Sequence, residues 1–400
     1  MQKSDSNFYG LGIVPKIIET IHHLKFEHPT PIQHKAIPVA LEGQDLIGIA
    51  QTGTGKTLAF VIPTIQQLAQ NRSCALVLVP TRELALQVEQ SFSKIAGAFG
   101  IKSVVLIGGA PIDKQIRALA QQPRVLIATP GRLIDLLQQR KVRLNNVSIL
   151  VLDEADRMLD MGFAPQIKQI LQSVPQNRQT LLFSATIPPT IVKIASTHMK
   201  FPVHVEVAPS GTAATGVSHE LFIVKKENKK DLLVKLLNQY RGSVLLFCRT
   251  KMGTRRLVKT IRAMGHNAVE IHSDRSLSQR REALDGFKRG KYRILAATDI
   301  AARGIDVVGI ELVINYDLPD DAENYVHRIG RTGRAGSAGH AISLATPDQR
   351  VDVQKIEKII KMALPVSQHS EISPELFDKP KNVFSAQKIR GRWRTHSRRR

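Results

Sequence analysis

Leu46-Ile47-Gly48-Ile49-Ala50-Gln51-Thr52-Gly53-Thr54-Gly55-Lys56-Thr57 joins an apolar strand to a glycine-rich loop and the start of a helix. Glycines let successive backbone N–H groups turn inward as a nest for phosphate oxygens, and the following helix adds its positive N-terminal end. Lys56 is then placed to reach the β- and γ-phosphates of ATP and the Thr57 hydroxyl to ligate Mg²⁺. Gln51, Thr52, Gly53, Thr54 and Gly55 form the rest of the expected nucleotide loop. Ala50 stands where the general pattern has its first glycine.

A site of this kind needs a carboxylate at the end of a neighbouring strand. Ile149-Leu150-Val151-Leu152-Asp153-Glu154-Ala155-Asp156 supplies it, because solvated acids rarely cap a fully apolar strand. Asp153 is expected to hold Mg²⁺ through water and Glu154 to orient and polarise the attacking water.

Working outward, short apolar runs at 45–49, 75–79, 103–107, 125–128, 148–152 and 180–183 alternate with amphipathic stretches such as 58–68, 82–95 and 132–138. Strands apolar on both faces, separated by helices, predict an α/β chain with a doubly wound parallel sheet. The alternation pauses at 208–216, a stretch of small residues with one Pro and two Gly that reads as a flexible linker. It restarts at 221–224 and continues through 244–247, 268–271, 294–297, 312–315 and 341–344, with a last amphipathic helix at 351–362. The expected organisation is a first domain over 1–207, a linker over 208–216, a second domain over 217–366 and a basic, disordered tail over 367–400.

With 57 Lys and Arg against 34 Asp and Glu, the 400 residues carry a net charge of +23, which points to a polyanionic partner. Nine of those cations lie between Lys379 and Arg400 without an acid among them. No apolar run is long enough to cross a bilayer and no secretory signal opens the chain, so a cytoplasmic protein without membrane contact is expected. The two cysteines, Cys74 and Cys248, sit in apolar strands and read as reduced core residues; no Cys/His cluster has zinc spacing.

Asp153-Glu154-Ala155-Asp156 spells the signature of the DEAD-box RNA helicases of superfamily 2, and the rest of that family's motif set follows in order. The resemblance covers roughly residues 8–365. It implies two RecA-like domains and ATP-dependent, RNA-stimulated turnover. Phe26-Glu27-His28-Pro29-Thr30-Pro31-Ile32-Gln33 resembles the Q motif, which implies that Gln33 reads the adenine edge and that Phe8 stacks on the base. Lys25 replaces the glycine usual at that motif's start. Ser184-Ala185-Thr186 resembles the motif coupling hydrolysis to unwinding. In the second half, the stretch 297–306 implies nucleotide contacts from Gly304 and Asp306, and 327–334 implies arginine fingers at Arg331 and Arg334. His327 is implied to bridge toward Asp156. The compact core and short arginine-rich extension resemble the bacterial RhlE-like members.

Further matches map to the family's RNA-facing surface: Pro80, Thr81 and Arg82; Gly108 and Gly109; Thr129, Gly131 and Arg132; and, in the second half, Arg249, Arg280 and Thr298. Sites at strand ends and helix starts suit phosphate and sugar contacts, so little sequence specificity is expected from the core. RNA would be told from DNA by its 2′-OH. Two positions depart from the family pattern: Leu277 for the usual glutamine, and Ser273 for the glycine between His272 and Asp274.

Since the phosphate loop and the fingers lie on different domains, ATP and a single RNA strand are expected to complete their sites only when the domains close. A monomer is expected, with ribosomal-precursor or RNA-decay proteins as candidate partners. Two rivals are a DNA-directed superfamily 2 helicase and an ATP-gated RNA clamp or annealing chaperone. The Gln33 context argues against the first, and intact Glu154, Arg331 and Arg334 against the second.

Overall fold

The computed structural model describes residues 7–51, 53–207, 217–302, 310–333 and 339–378. The alternating runs form two separate sheets. The first contains β1 (Leu46–Ile49), β2 (Cys74–Leu78), β3 (Ser103–Leu106), β4 (Val125–Ala128), β5 (Val147–Leu152), β6 (Gln179–Ser184) and β7 (Val203–Glu206). Their spatial order is β3-β4-β2-β5-β6-β1-β7. The second contains β8 (Val217–Ile223), β9 (Val244–Phe247), β10 (Ala268–Ile271), β11 (Ile294–Ala297), β12 (Leu312–Asn315) and β13 (Gly339–Ala345), in the order β10-β11-β9-β12-β13-β8. Every strand pairing in both is parallel.

Both faces of each sheet are covered, which explains the unbroken apolar strands. Ala75, Val77, Val125 and Ile127 feed one core cluster of the first domain, while Leu76, Leu78, Leu126 and Ala128 feed another. In the second domain Val244 and Leu246 face one cluster, and Leu245 and Phe247 the opposite one. Edge strand β7 and the helices Pro15–His23 and Pro31–Leu41 escape the reading of apolar runs. β7 is only partly buried and alternates Val with His and Glu, so it carries no continuous apolar run.

The second domain does not end at residue 366. Val366 bridges to Leu221, the Ser367 N–H donates to the Leu221 carbonyl at 2.8 Å, and the Asp378 N–H to the Pro347 carbonyl at 2.9 Å. Ile372 and Phe377 pack against second-domain clusters, and Lys225 pairs with Glu375 at 3.3 Å. Residues 367–378, assigned to the tail for want of periodicity, are therefore a strap held by isolated apolar anchors and main-chain bonds. The linker 208–216 and residues 379–400 lie outside the described residues.

No helix among the described residues is long and apolar enough to cross a membrane. Cys74 and Cys248 are free; Cys248 is fully buried and Cys74 half-buried. Parallel strands carry their carboxyl ends to one edge of the first sheet, where ligands of open α/β sheets bind. There the chain presents Ala50, Pro80, Gly108, Thr129, Asp153 and Ser184.

Candidate functional site

The phosphate loop turns at Gly53 and Gly55, both with φ of +89°. A Cβ on Gly55 would stand 2.5 Å from Gln33 Nε2, so the position needs glycine for space as well as backbone. Position 50 has no positive φ, which is why alanine serves there. The Ala50 carbonyl accepts from Lys56 Nζ at 2.7 Å. Gln33 is buried; its amide donates to the Gly55 carbonyl at 2.9 Å, and its Oε1 accepts the Thr30 N–H at 2.9 Å. The residue expected to read adenine thus also braces the phosphate loop.

Asp153 and Glu154 end β5 against this loop. Burial pushes the Asp153 carboxyl up to about 7, against the pull of Lys56 and with a further push from Glu154. Glu154 is buried at φ +52°, and Arg157 Nη1 donates to its Oε2 at 2.7 Å. Asp156 is a hub: its Oδ2 accepts from Ala185 N, Thr186 N and Thr186 Oγ1 at 3.0, 2.9 and 3.1 Å. Its own N–H donates to Ser184 Oγ at 3.2 Å. Burial would raise this carboxyl, but His327, Lys56, Arg157 and the Thr186 amide outweigh it and hold it below the usual carboxylate range. Since His327 belongs to the second domain, its field on Asp156 crosses the junction.

One pocket is lined by Gln33, Gly53, Gly55, Lys56, Thr57, Asp153 and Glu154 from the first domain and by Lys288 and Arg331 from the second. Arg331 is buried, its Nε donating to the His327 carbonyl at 3.2 Å. Gln51 starts the loop, and Thr54 Oγ1 donates back to its carbonyl at 2.8 Å. Thr52, Gly304, Asp306 and Arg334 lie outside the described residues.

Phe8 is a correction. It is wholly buried in the first-domain core and does not line the pocket. The aromatic that does is Phe26, 42% exposed within the Q motif itself. Lys25, in front of it, has φ +62°, so the motif's usual glycine answers a left-handed turn that aims Phe26.

A second groove is lined by Pro80, Thr81, Arg82, Gly108, Thr129, Gly131 and Arg132, and from the other domain by Ser273 and Arg280. Two helices start there, Arg82–Ala96 and Pro130–Gln138, offering N–H groups suited to phosphate. Thr81 caps the first by accepting the Leu84 N–H at 3.2 Å. The glycines make room for Arg82: a Cβ on Gly109 would fall 2.0 Å from its Nη1. Gly109, Arg249 and Thr298 are not among the lining residues; Arg249 pairs with Asp320 at 3.1 Å, and Thr298 opens the helix Asp299–Ala302. Arg280 lines the groove, and its Nη2 also donates to Glu83 Oε2 of the first domain at 2.8 Å, so it clamps the two domains together at the groove wall. Leu277, three residues earlier, packs against the first-domain cluster, an apolar use that its glutamine alternative would not give.

Two buried arginines carry no expectation from the sequence. Arg157 holds Glu154, and Arg328 forks onto Asp299 at 2.6 and 2.7 Å while its guanidinium carbon stands 4.9 Å over Phe247. A charged side chain three residues from an acid at a strand end is the only signal that could have flagged Arg157.

Comparison with known proteins agrees with this geometry. The DEAD/DEAH box helicase family matches residues 30–194 and the Helicase conserved C-terminal domain residues 228–336. The chain is 44% identical over 362 residues to an ATP-dependent rRNA helicase, RRP3, of Meyerozyma guilliermondii, covering 90% of this chain and 76% of that one. Among solved structures, S. cerevisiae Dbp5 bound to RNA and ADP BeF3 is 28% identical with a TM-score of 0.82, over 91% of this chain and 96% of that one. Mss116p bound to ssRNA and AMP-PNP is 28% identical with a TM-score of 0.83, over 92% and 81%.

Proposed function

Because this chain belongs to the DEAD-box helicases, ATP-dependent enzymes that unwind RNA, we propose that its turnover is gated by closure of its two domains on ATP and a single RNA strand. The observation that carries this reading is the pocket in which Arg331 and Lys288 of one domain face Lys56, Thr57, Asp153 and Glu154 of the other. Neither half supplies both the phosphate loop and the finger, so hydrolysis has to wait for both.

In that cycle Lys56 exchanges the Ala50 carbonyl for β- and γ-phosphate oxygens, and Glu154, steadied by Arg157, orients and polarises the attacking water. Arg331 stabilises charge as the γ-phosphoryl departs. Asp156 links the acid motif to Ser184 and Thr186 and, through His327, to the second domain, so loss of the γ-phosphate is felt at the RNA groove. Closure accepts a bent single strand but not a duplex. With base-pair steps costing about 1.4 kcal/mol, only a few pairs are opened per event.

The donor set fits a hard cation. Thr57 offers a hydroxyl and Asp153 a carboxylate, and the described residues hold no cluster of three His, Cys, Asp or Glu. Such a site would hold Mg²⁺ with phosphate oxygens and water completing the shell. When bound, the ion would neutralise charge on the phosphates.

The relative named as an rRNA helicase favours ribosomal RNA as the substrate, with ribosomal-precursor or RNA-decay proteins as the candidate partners. A cytoplasmic monomer is the working form we assign. An RhlE-like placement rests only on the compact core and basic extension, and the reported relatives do not support it.

Steady-state ATPase measured with RNA, with DNA and with neither tests the reading. Strong stimulation by RNA alone is expected. Equal stimulation by DNA would indicate a DNA-directed enzyme, and RNA binding without stimulated turnover a clamp. RNA-stimulated turnover by residues 1–207 alone, at the rate of the whole chain, would sink the closure mechanism.

A further inference from the structure

All seven strands of the first sheet run the same way, so the residues leading into them share one edge, opposite to the phosphate loop. That edge is a row of cations. Lys102 precedes β3, Arg124 precedes β4 and Arg72 precedes β2. The loop into β5 carries Arg140, Lys141 and Arg143; Arg178 precedes β6, and Lys200 leads into β7.

The loops between helix ends and these strands contain only two acids, Glu42 and Asp45. Asp45 is buried and spent internally, accepting from Thr180 N at 2.7 Å and Lys200 N at 2.6 Å. Arg72, Lys102, Arg140, Lys141, Arg143 and Lys200 are exposed, and none forms an ion pair with a described residue. The loops are stitched to one another: Asn146 Nδ2 donates to the Arg72 carbonyl at 3.1 Å, Arg124 N to the Lys102 carbonyl at 2.9 Å, and Arg124 Nε to the Ser73 carbonyl at 3.0 Å. Seven strands about 4.8 Å apart make this edge about 29 Å long.

A second, independent observation lies at one end of the row. Phe201 is 100% exposed and sits at φ +42°, a backbone region bulky side chains rarely adopt. It borders a hollow also lined by Arg178, Gln179 and Lys200. Arg178 and Gln179 are 9% and 8% exposed, yet Arg178 Nε and Gln179 Oε1 have no hydrogen-bond partner.

We propose that this edge is a second RNA site, which holds the backbone of a segment flanking the cleft, with Phe201 stacking on an unpaired base whose polar edge meets Arg178 and Gln179. Cations spaced by strand register suit phosphates and carry no base code, so the site is sequence-independent. The enzyme's RNA substrate identifies the polyanion, but no residue lining the ATP pocket or the RNA groove between the domains takes part. Its role is to keep structured RNA on the protein while the cleft opens and closes.

The test uses the full chain and two labelled RNAs: a single strand of about eight nucleotides, enough for one binding site, and the same strand joined to a hairpin. The triple variant Arg72→Gln, Lys141→Gln, Arg143→Gln should lose about tenfold in affinity for the hairpin RNA and flatten the log–log salt slope by about 2. Its affinity for the short strand, and the ATPase the short strand stimulates, should not change. Phe201→Asn, which suits the left-handed backbone, should weaken binding of the hairpin RNA when a flanking base is unpaired and leave the short strand alone. Equal losses on both RNAs, or none on either, overturn the proposal. So does retained hairpin binding in a variant that has lost binding to polyglutamate, which would make the edge a protein contact. These outcomes leave the cleft mechanism standing; lost ATPase with the short strand would instead fault the cleft.

Discussion

Arg280 Nη2 lies 2.8 Å from Glu83 Oε2, joining the two domains through side chains that are both buried. Taking away one member of a buried pair strands the other, at a cost of about 3–5 kcal/mol. Glu83→Gln and Arg280→Met should each weaken closure, seen as a steep rise in the RNA concentration needed for half-maximal ATPase. Each domain should still fold. The double variant should recover part of the loss, and a strictly additive double variant would mean the pair does not act as a unit.

Glu154→Gln keeps the shape of the site and the nearby Asp153 but removes the carboxylate to which we assign the polarising of water. Turnover should fall by roughly 10²–10⁴-fold while ATP and RNA still bind together. Single-turnover hydrolysis beside equilibrium RNA binding separates the two effects, and a normal rate would remove Glu154 from the chemistry.

Lys25 holds φ +62° immediately after the helix Pro15–His23 and its cap, with its N–H donating to the His22 carbonyl at 2.8 Å. A left-handed backbone costs a non-glycine residue on the order of 1–2 kcal/mol, part of which glycine returns as chain entropy. Lys25→Gly should therefore stabilise the first domain by about 0.5–1 kcal/mol. A shift of the urea midpoint to lower concentration would contradict the strain argument.

Lys229 is buried in the second domain, donating to the Tyr316 and Leu344 carbonyls at 2.9 and 2.8 Å. Burial outweighs nearby Asp317 and brings its pKa down from 10.5 to about 8. Between those values the unfolded chain binds more protons than the folded one, so the contribution of this residue to stability rises with pH across that window. Relative to Lys229→Met, the wild-type chain should gain on the order of 2 kcal/mol between about pH 7.5 and 10, read from denaturant midpoints. A difference independent of pH would show that the ammonium titrates at its ordinary value.

Contiguous chemistry was legible in the sequence: the phosphate loop, the acid pair ending β5 and the apolar strands each declare themselves within a few residues. What was not legible depends on partners distant in the chain. Glu83 and Arg280 are 197 residues apart, and nothing local says they meet. Phe8 was assigned to the base by position in a motif, yet burial places it in the core and leaves Phe26 facing the pocket. The strap 367–378 has no period to detect, only Ile372 and Phe377 landing on surfaces made by other elements. The cationic edge is invisible along the chain because its members are scattered from residue 72 to residue 200 and only the parallel register lines them up.

The single amide of Gln33 touches the turn that carries Lys56, and Gly55 leaves it no slack. If that amide also reads adenine, a mismatched base displaces the very loop that grips the triphosphate. Selectivity would then be exacted on catalytic rate rather than on residence: GTP could lodge in the pocket and still be left unspent.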